Sequence, residues 1–286
     1  MQPLSSRARR TYFFVLLAVF AAAIVPLALF ANGWRFHTSE GIVRTGGVFL
    51  RLSGTGVTAT IDGEVAETNS LLQRNIFVQN LIPGTHTVSV AREGYHAWEK
   101  TLPIVSEKVT EAHPLLVPVA PVIVPIPEFL SATSTATGTL ASKTKNPGYA
   151  TVAALFAPAK VLPKSVASST PQVSSAKLEL VPKGNELTAL WHGSVDNAPF
   201  YFCTSGTCVA TTTVTFSARV MHADFYPGEQ DFVLVALPDG IYAAELDARF
   251  STTVVPLLQA EGADFRVGSE GRVYIRQGKA FSELVL

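Results

Sequence analysis

The 286-residue chain carries 22 lysines and arginines against 22 aspartates and glutamates, so its formal net charge is zero. Charged residues make up 15% of the sequence and hydrophobic residues 48%, which is enough to build a core beneath a lightly charged surface. Because no basic field is present to attract a phosphate backbone, the composition argues against nucleic acid as a partner. With 18 prolines, 20 glycines and few long helical patterns, it favours a mainly β fold.

The first 31 residues have the pattern of a membrane anchor. Residues 1–11 form a short basic segment containing Arg7, Arg9 and Arg10, and residues 12–31 follow without a charge. About 20 apolar residues span a bilayer as a helix, and the arginines predict that the N-terminus stays in the cytoplasm. We therefore predict a single-pass protein of the cell membrane that contacts the lipid bilayer through residues 12–31 and places residues 33–286 outside.

A cleaved signal peptide is the alternative for this segment. Signal peptides have an apolar region of about 7–15 residues followed by a small-x-small cleavage site. Here the apolar run is longer, and it ends in Leu29-Phe30-Ala31, which places bulky side chains where small ones are needed. These features favour an uncleaved anchor.

Residues 32–118 are predicted to hold a small β domain. Asp62-Gly63 is a strong tight-turn signal, since glycine tolerates positive φ and aspartate bonds its own backbone. Pro83-Gly84 is a second turn signal, and an alternating strand that contains His86 follows it. Gly94-Tyr95 ends that strand, and Tyr95 and Trp98 offer large apolar surfaces with one polar group each.

This order of turns and aromatic residues resembles the PEGA domain, a small β module of bacterial and archaeal cell-surface proteins. The resemblance covers roughly a quarter of the chain, and it implies a small β-sandwich at a cell surface. It gives a structural role to the motif residues, which are Asp62, Gly63, Pro83, Gly84, His86, Gly94, Tyr95 and Trp98.

Residues 119–176 are predicted to be a linker rich in proline, serine, threonine and alanine. Its start contains Pro121, Pro125 and Pro127, a density that forbids a helix, disfavours a central strand and favours an extended, semi-rigid spacer. The segments 131–145 and 164–175 are low-complexity sequence that cannot bury enough apolar surface to order itself. Residues 149–161 are more apolar and are predicted to form a short docked helix limited by Pro158.

Residues 177–286 are predicted to be a C-terminal antiparallel β region of short strands separated by turn signals. The segment 181–187 echoes the segment 226–232, a spacing of about 45 residues, which is the length of one β-propeller blade. Two to three propeller-like blades fit this length, whereas a closed ring needs about four to eight. An open stack of sheets or a sandwich is the alternative.

Cys203 and Cys208 are the two cysteines, and a turn sequence lies between them. Outside the cytoplasm such a pair is usually a disulfide across a hairpin. A zinc site lacks a second pair of ligands at suitable spacing, and a redox-active pair lacks the Cys-x-x-Cys spacing. We predict a disulfide and no metal or cofactor.

No catalytic residue is predicted. The acids available for hydrolysis are Asp62, Glu64, Asp231 and Asp247, and each lies at a turn or strand end, where acids commonly have a structural role. Ser194 and Asp196 lie near His192, but in a turn between two strands with no oxyanion device in the sequence.

The sequence therefore predicts a non-catalytic, membrane-anchored cell-envelope protein that presents β modules outside the membrane to an envelope protein or glycan. An extracytoplasmic hydrolase with its site in the C-terminal β region is the first alternative. A purely structural spacer is the second. A concave pocket with convergent titratable groups distinguishes the enzyme, and an exposed apolar or aromatic patch distinguishes the interaction protein from the spacer.

Overall fold

The computed structural model describes residues 6–37, 41–69, 73–131, 143–157, 173–175, 177–204 and 207–286. Over these residues the protein is mainly β, as predicted, and contains two α-helices. The chain separates into two compact units. Unit 1 contains Met1–Ser89 and Thr101–Pro114, and unit 2 contains Val90–Lys100 and Leu115–Leu286.

Helix α1 (Ser6–Ala31) contains the whole segment predicted as a membrane anchor. From Arg7 to Ala31 it is long and apolar enough to cross a membrane, and none of its apolar window is buried in the protein. A signal sequence near the N-terminus meets the same criterion of length and apolar composition. Pro26 lies in its C-terminal half, where a membrane helix tolerates proline.

Nine strands follow α1 up to residue 112 in the described part of the chain. They are β1 (Trp34–His37), β2 (Gly41–Arg44), β3 (Gly46–Leu50), β4 (Thr58–Ile61), β5 (Glu64–Thr68), β6 (Ile76–Leu81), β7 (Gly84–Ala91), β8 (Trp98–Ile104) and β9 (Val109–Ala112). The chain leaves unit 1 within β7 and returns to it within β8.

Strands β1 and β2 form a two-stranded ribbon directly after α1. A three-stranded sheet follows in the order β6–β3–β9, with β3 parallel to β9 and antiparallel to β6. A four-stranded sheet has the order β5–β4–β7–β8. Alternate apolar residues of these strands, such as Val48, Leu50, Ala59 and Ile61, are buried and form the core of unit 1.

Sixteen further strands and one helix follow in the described residues. They are β10 (Val122–Ile126), β11 (Phe129–Ser131), β12 (Lys143–Lys145), α2 (Pro147–Leu155), β13 (Val173–Ser175), β14 (Leu178–Lys183), β15 (Glu186–Trp191), β16 (Cys203–Thr204), β17 (Thr207–Cys208), β18 (Thr211–Thr215), β19 (His222–Phe225), β20 (Phe232–Leu237), β21 (Gly240–Glu245), β22 (Val254–Gln259), β23 (Asp264–Val267), β24 (Val273–Gln277) and β25 (Ala280–Val285).

Unit 2 contains three four-stranded antiparallel sheets, with the orders β13–β14–β15–β18, β19–β20–β21–β22 and β10–β25–β24–β23. One apolar core joins the first two of these sheets and includes the aromatic residues Tyr201 and Phe202. All six residues of β20 are buried, because both faces of this strand are covered.

Five elements of the described residues, β10, β11, β12, α2 and β13, lie within residues 119–176, the segment predicted to be a spacer. Residues 122–126 are extended, as expected, but they form the edge strand β10, which pairs with the C-terminal strand β25. Pro125 is compatible with this position, because an edge strand leaves room for a residue without an N–H. The predicted docked helix is α2, and Val152 and Phe156 pack against Phe281 of β25. Residues 158–161 of that helix prediction lie outside the described residues.

Candidate functional site

The residues selected from the sequence lie in three places. Five of them, Asp62, Gly63, Pro83, Gly84 and His86, lie at two neighbouring turns in unit 1. The other three motif residues, Gly94, Tyr95 and Trp98, lie in unit 2. Cys203 and Cys208 also lie in unit 2, in the β16–β17 hairpin.

The first turn connects β4 to β5 and has positive φ at both central residues, 52° at Asp62 and 85° at Gly63. This is the conformation that an Asp-Gly pair adopts in a tight hairpin. The turn is tied to β7, because the Asp62 N–H donates to the Thr87 carbonyl at 2.8 Å and Asp62 Oδ1 accepts from the Thr87 N–H at 2.9 Å.

The His86 imidazole connects the two turns of unit 1. Its Nδ1 lies 2.6 Å from Asp62 Oδ2, and its Nε2 lies 2.7 Å from the Ile82 carbonyl oxygen just before Pro83-Gly84. Both partners are acceptors, so both ring nitrogens donate and the ring is held as an imidazolium. Neither nitrogen has a lone pair for a metal, which gives His86 a structural role.

The pKa values of this pair agree with that geometry. Burial lowers the pKa of His86, but its hydrogen bonds to the Ile82 carbonyl and the Asp62 carboxylate raise the pKa by more, so the net shift is upward. The hydrogen bond from His86, followed by the one from the Thr87 N–H, lowers the pKa of Asp62. Both shifts favour the ionised forms of His86 and Asp62.

A groove of about 350 Å³ opens beside this pair. Asp62, Glu64 and His86 supply charge to its lining. The apolar lining consists of six aliphatic residues, which are Ile61, Val65, Ala66, Val78, Leu81 and Ile82. Val65 is 69% exposed on β5, the outermost strand of its sheet. A concave apolar lining with a few charged groups is typical of a binding site, so we define this as the β5 groove.

The motif residues in unit 2 pack into a second arrangement. Gly94 has a φ of 78°, and its carbonyl accepts from the Val119 N–H at 3.0 Å. The Tyr95 ring is half-buried and lies 4.3 Å from the Arg92 guanidinium. Trp98 is 1% exposed and donates its indole N–H to a Glu245 carboxylate oxygen.

Trp98 belongs to a buried charged network that was not predicted from the sequence. Lys100 Nζ lies 2.8 Å from Glu245 Oε2 and 3.1 Å from the Asp247 carbonyl oxygen, and the side chains of Lys100 and Glu245 are each 1% exposed. Burial raises the pKa of Glu245, and Lys100 and the Trp98 N–H partly offset this by stabilising its charge.

Arg249 completes the network. Its Nε and Nη2 each donate to the Asp247 carboxylate at 2.8 Å, a bidentate pair. Its guanidinium also lies over the rings of Phe200, at 4.8 Å, and Phe250, at 5.2 Å. Two cations and two anions are thus paired in this network, whose side chains are at most 13% exposed.

The signal for this network was present in the sequence. Lys100 occupies an inward position of β8, because buried and more exposed residues alternate along this strand. The buried residues are Trp98, Lys100, Leu102 and Ile104, and those between them are Glu99, Thr101 and Pro103. Glu245 ends the largely apolar strand β21. A charge at an inward position requires a buried partner, although the sequence does not say which one.

The predicted disulfide is confirmed between Cys203 and Cys208, which face each other across β16 and β17. The pair leaves no free cysteine in the chain. A thiol nucleophile or a cysteine-bound metal is therefore excluded in this oxidised form.

The remaining candidate side chains do not converge. His192 Nε2 lies 2.6 Å from Glu179 Oε2 and does not contact Ser194 through any hydrogen bond found in the described residues. Within the described ranges, no group of three or more His, Cys, Asp or Glu side chains is placed to hold a metal ion.

Comparison of the chain with protein-family models and with curated protein sequences gives no match.

His222 is a titratable group that sequence reasoning did not select. Its ring packs 4.9 Å from the ring of Phe265, and its Nε2 is buried with no hydrogen-bond partner among the described atoms. Burial, followed by the charge of Arg266, lowers the pKa of His222 to about 4. The folded protein therefore holds this histidine neutral at a pH where the unfolded chain protonates it.

We expect the free energy of unfolding to fall by about 2–3 kcal/mol between pH 7 and pH 4 through His222. A histidine pKa that folding lowers stabilises the protein above the unfolded pKa near 6.5, and this contribution is lost as pH falls towards 4. Burial raises the pKa of Asp224, which acts in the opposite sense, so the comparison must be between variants. His222→Phe should flatten the pH dependence in chemical denaturation of the detergent-solubilised protein. Parallel curves for parent and variant would contradict this role.

Proposed function

We propose that this protein is a non-catalytic, membrane-anchored protein of the cell envelope that presents β modules outside the membrane to a protein or glycan partner. The observation that carries the proposal is the junction between α1 and unit 1. The apolar window of α1 is not buried by the rest of the protein, and the β domain that follows is hydrogen-bonded to the last turn of this helix.

The junction is held by a set of hydrogen bonds around the end of α1. Arg35 Nη1 donates to the Phe30 carbonyl at 2.7 Å, and Asn32 Nδ2 donates to the Ala28 carbonyl at 2.7 Å. The same two carbonyls also accept backbone hydrogen bonds from the N–H groups of Asn32 and Gly33, so the end of α1 is closed by both side-chain and backbone donors. The backbone N–H and the hydroxyl of Thr45 both donate to the Gly33 carbonyl at 3.1 Å. The β domain thus starts at the helix end without a flexible stalk.

Three further features support the proposal. The turns at Asp62-Gly63 and Pro83-Gly84, joined through His86, agree with a PEGA-like module in which these residues are structural. The three four-stranded sheets of unit 2 agree with propeller-like blades, and β10 completes the last sheet from upstream in the chain. Arg7, Arg9 and Arg10 at the start of α1 favour a cytoplasmic N-terminus and an external β region.

The β5 groove is the surface that we assign to the partner. Its lining combines six aliphatic side chains with the carboxylates of Asp62 and Glu64, and Val65 within it is 69% exposed. Such a lining suits an apolar or basic side chain of a protein segment better than the hydroxyl groups of a glycan. Among the described residues no strand pairs with the outer edge of β5, so this edge offers backbone groups to an extended segment as well.

Cysteine labelling in intact cells tests the proposal. Since both native cysteines are in a disulfide, Val65→Cys or Ser6→Cys introduces a single reactive thiol. We expect a membrane-impermeant maleimide to modify Val65→Cys and to leave Ser6→Cys unmodified until the membrane is opened. Modification of Ser6→Cys alone would reverse the orientation and overturn the proposal.

A photo-crosslinker attached to the thiol of the Val65→Cys variant then identifies the partner. We expect it to capture an envelope protein, and we expect Glu64→Lys to reduce that capture because it reverses a charge in the groove. A crosslinker on Val105→Cys is the control, since Val105 is also an exposed valine of unit 1, at 48%, and lies outside the groove. Equal capture from both positions would show that the β5 groove is not the partner site.

A further inference from the structure

The ribbon of β1 and β2 exposes an apolar face next to the end of α1. Phe36 is 77% exposed and Ile42 is 58% exposed, and these two residues are directly opposite each other in the antiparallel pair. Residues opposite each other in a ribbon project from the same face. Trp34 and Arg44, the pair two residues nearer the helix, belong to that same face.

The charged side chain of this face, Arg44, lies beside Trp34, the aromatic residue nearest the helix. The Arg44 guanidinium lies 4.9 Å from the centre of the Trp34 ring and pairs with the Glu107 carboxylate. Trp34 is half-buried, whereas Phe36 and Ile42 further along the ribbon are open. The face therefore runs from a Trp and Arg pair beside the helix to a purely apolar pair.

The helix length places this face at the membrane boundary. The uncharged part of α1, residues 12–31, rises about 30 Å at 1.5 Å per residue, which matches the hydrocarbon core. Only Asn32 and Gly33 separate Ala31 from β1. The hydrogen bonds from Arg35 and Thr45 around the helix end fix the ribbon there. When α1 spans a bilayer, Trp34 and Arg44 therefore lie at the headgroup level, where tryptophan and arginine are favoured.

We propose that Phe36 and Ile42 insert into the lipid interface of the bilayer that α1 spans. The β1–β2 ribbon then attaches the β domain to the membrane surface, and we call this contact the interfacial foot. This inference rests on the proposed membrane anchoring. The ribbon fixes the angle at which unit 1 leaves the membrane, because one end is bonded to the helix and the other is held by lipid.

A second copy of the chain is the competing occupant of this face. Stable protein interfaces bury about 800 Å² on each partner, and two side chains on a four-residue strand pair offer far less. The continuity of the face with a membrane-length helix favours lipid instead.

The test uses the full chain in lipid vesicles with an environment-sensitive fluorophore on Ile42→Cys, which leaves Phe36 in place. We expect blue-shifted emission and strong quenching by lipids that carry a nitroxide near the headgroup. The added substitution Phe36→Asp should reduce this quenching. The same fluorophore on Val65→Cys is the control, because Val65 is an exposed apolar residue on β5, and it should show neither effect.

A label on Leu16→Cys, in the middle of α1, separates failure of the foot from failure of the anchor. Deep quenching at position 16 without quenching at position 42 would overturn the foot and leave the anchor intact. Absence of quenching at both positions would overturn both. A blue shift at position 42 that lipid nitroxides do not quench, and that grows with protein density, would assign the face to a second copy and overturn the lipid proposal.

Discussion

Replacing Lys100 by methionine is expected to lower the free energy of unfolding of unit 2 by about 3–5 kcal/mol at pH 7. The substitution keeps the volume of the side chain but leaves the Glu245 carboxylate, which is 1% exposed, without its cation. An unpaired buried charge costs far more than the pair contributes when both members are present. Chemical denaturation of the detergent-solubilised protein measures the loss.

The pH dependence of this loss identifies its cause. Burial already raises the pKa of Glu245, and removal of Lys100 should raise that pKa further. A carboxyl pKa that folding raises above the unfolded value makes the folded state take up a proton first, so the protein gains relative stability as pH falls. We therefore expect the destabilisation of Lys100→Met to shrink between pH 7 and pH 5.

Two further variants make this prediction specific. Lys100→Met combined with Glu245→Gln removes both charges and retains an amide oxygen for the Trp98 N–H, so it should recover most of the lost stability. Lys279→Met makes the same substitution at an exposed lysine of unit 2 and should stay within about 0.5 kcal/mol of the parent. A double variant no more stable than Lys100→Met would show that the buried carboxylate is not the source of the loss.

The sequence was informative where a local pattern decides the structure. The uncharged run of residues 12–31 predicts most of α1, a helix that is long and apolar enough to cross a membrane. Asp62-Gly63 predicts its turn, because two consecutive positive φ angles favour that pair. The five-residue spacing of Cys203 and Cys208 predicts a disulfide across a hairpin.

The sequence was uninformative where the partner lies far along the chain. The pairing of β10 with β25 joins residues 122–126 to 281–285, and no local pattern records it. Lys100 and Glu245 are separated by 145 residues, so the inward position of Lys100 in β8 shows that a buried anion is needed but does not identify it. The β5 groove has the same origin, since residues 61–62, 64–66, 78, 80–82 and 86 line it together only after the strands have assembled.

Replacing Trp98 by alanine is expected to destabilise the protein by about 3–5 kcal/mol. Trp98 is the largest of the side chains that are less than 2% exposed, so its removal leaves a cavity in addition to the lost burial of its ring. It also removes the indole N–H that donates to Glu245, which leaves the carboxylate with Lys100 as its main partner. Denaturation followed by circular dichroism avoids reliance on the fluorescence of the removed tryptophan.

Trp98→Phe separates the two contributions, because phenylalanine retains most of the buried ring and lacks the N–H. Its expected cost is about 1–3 kcal/mol, the usual penalty for leaving a buried acceptor unsatisfied. Combining Trp98→Phe with Lys100→Met should give a non-additive loss, since both residues bind the same carboxylate. A Trp98→Ala protein that unfolds like the parent would place this aromatic residue outside the core. It would also remove the structural role that the resemblance to PEGA modules gives to Gly94, Tyr95 and Trp98.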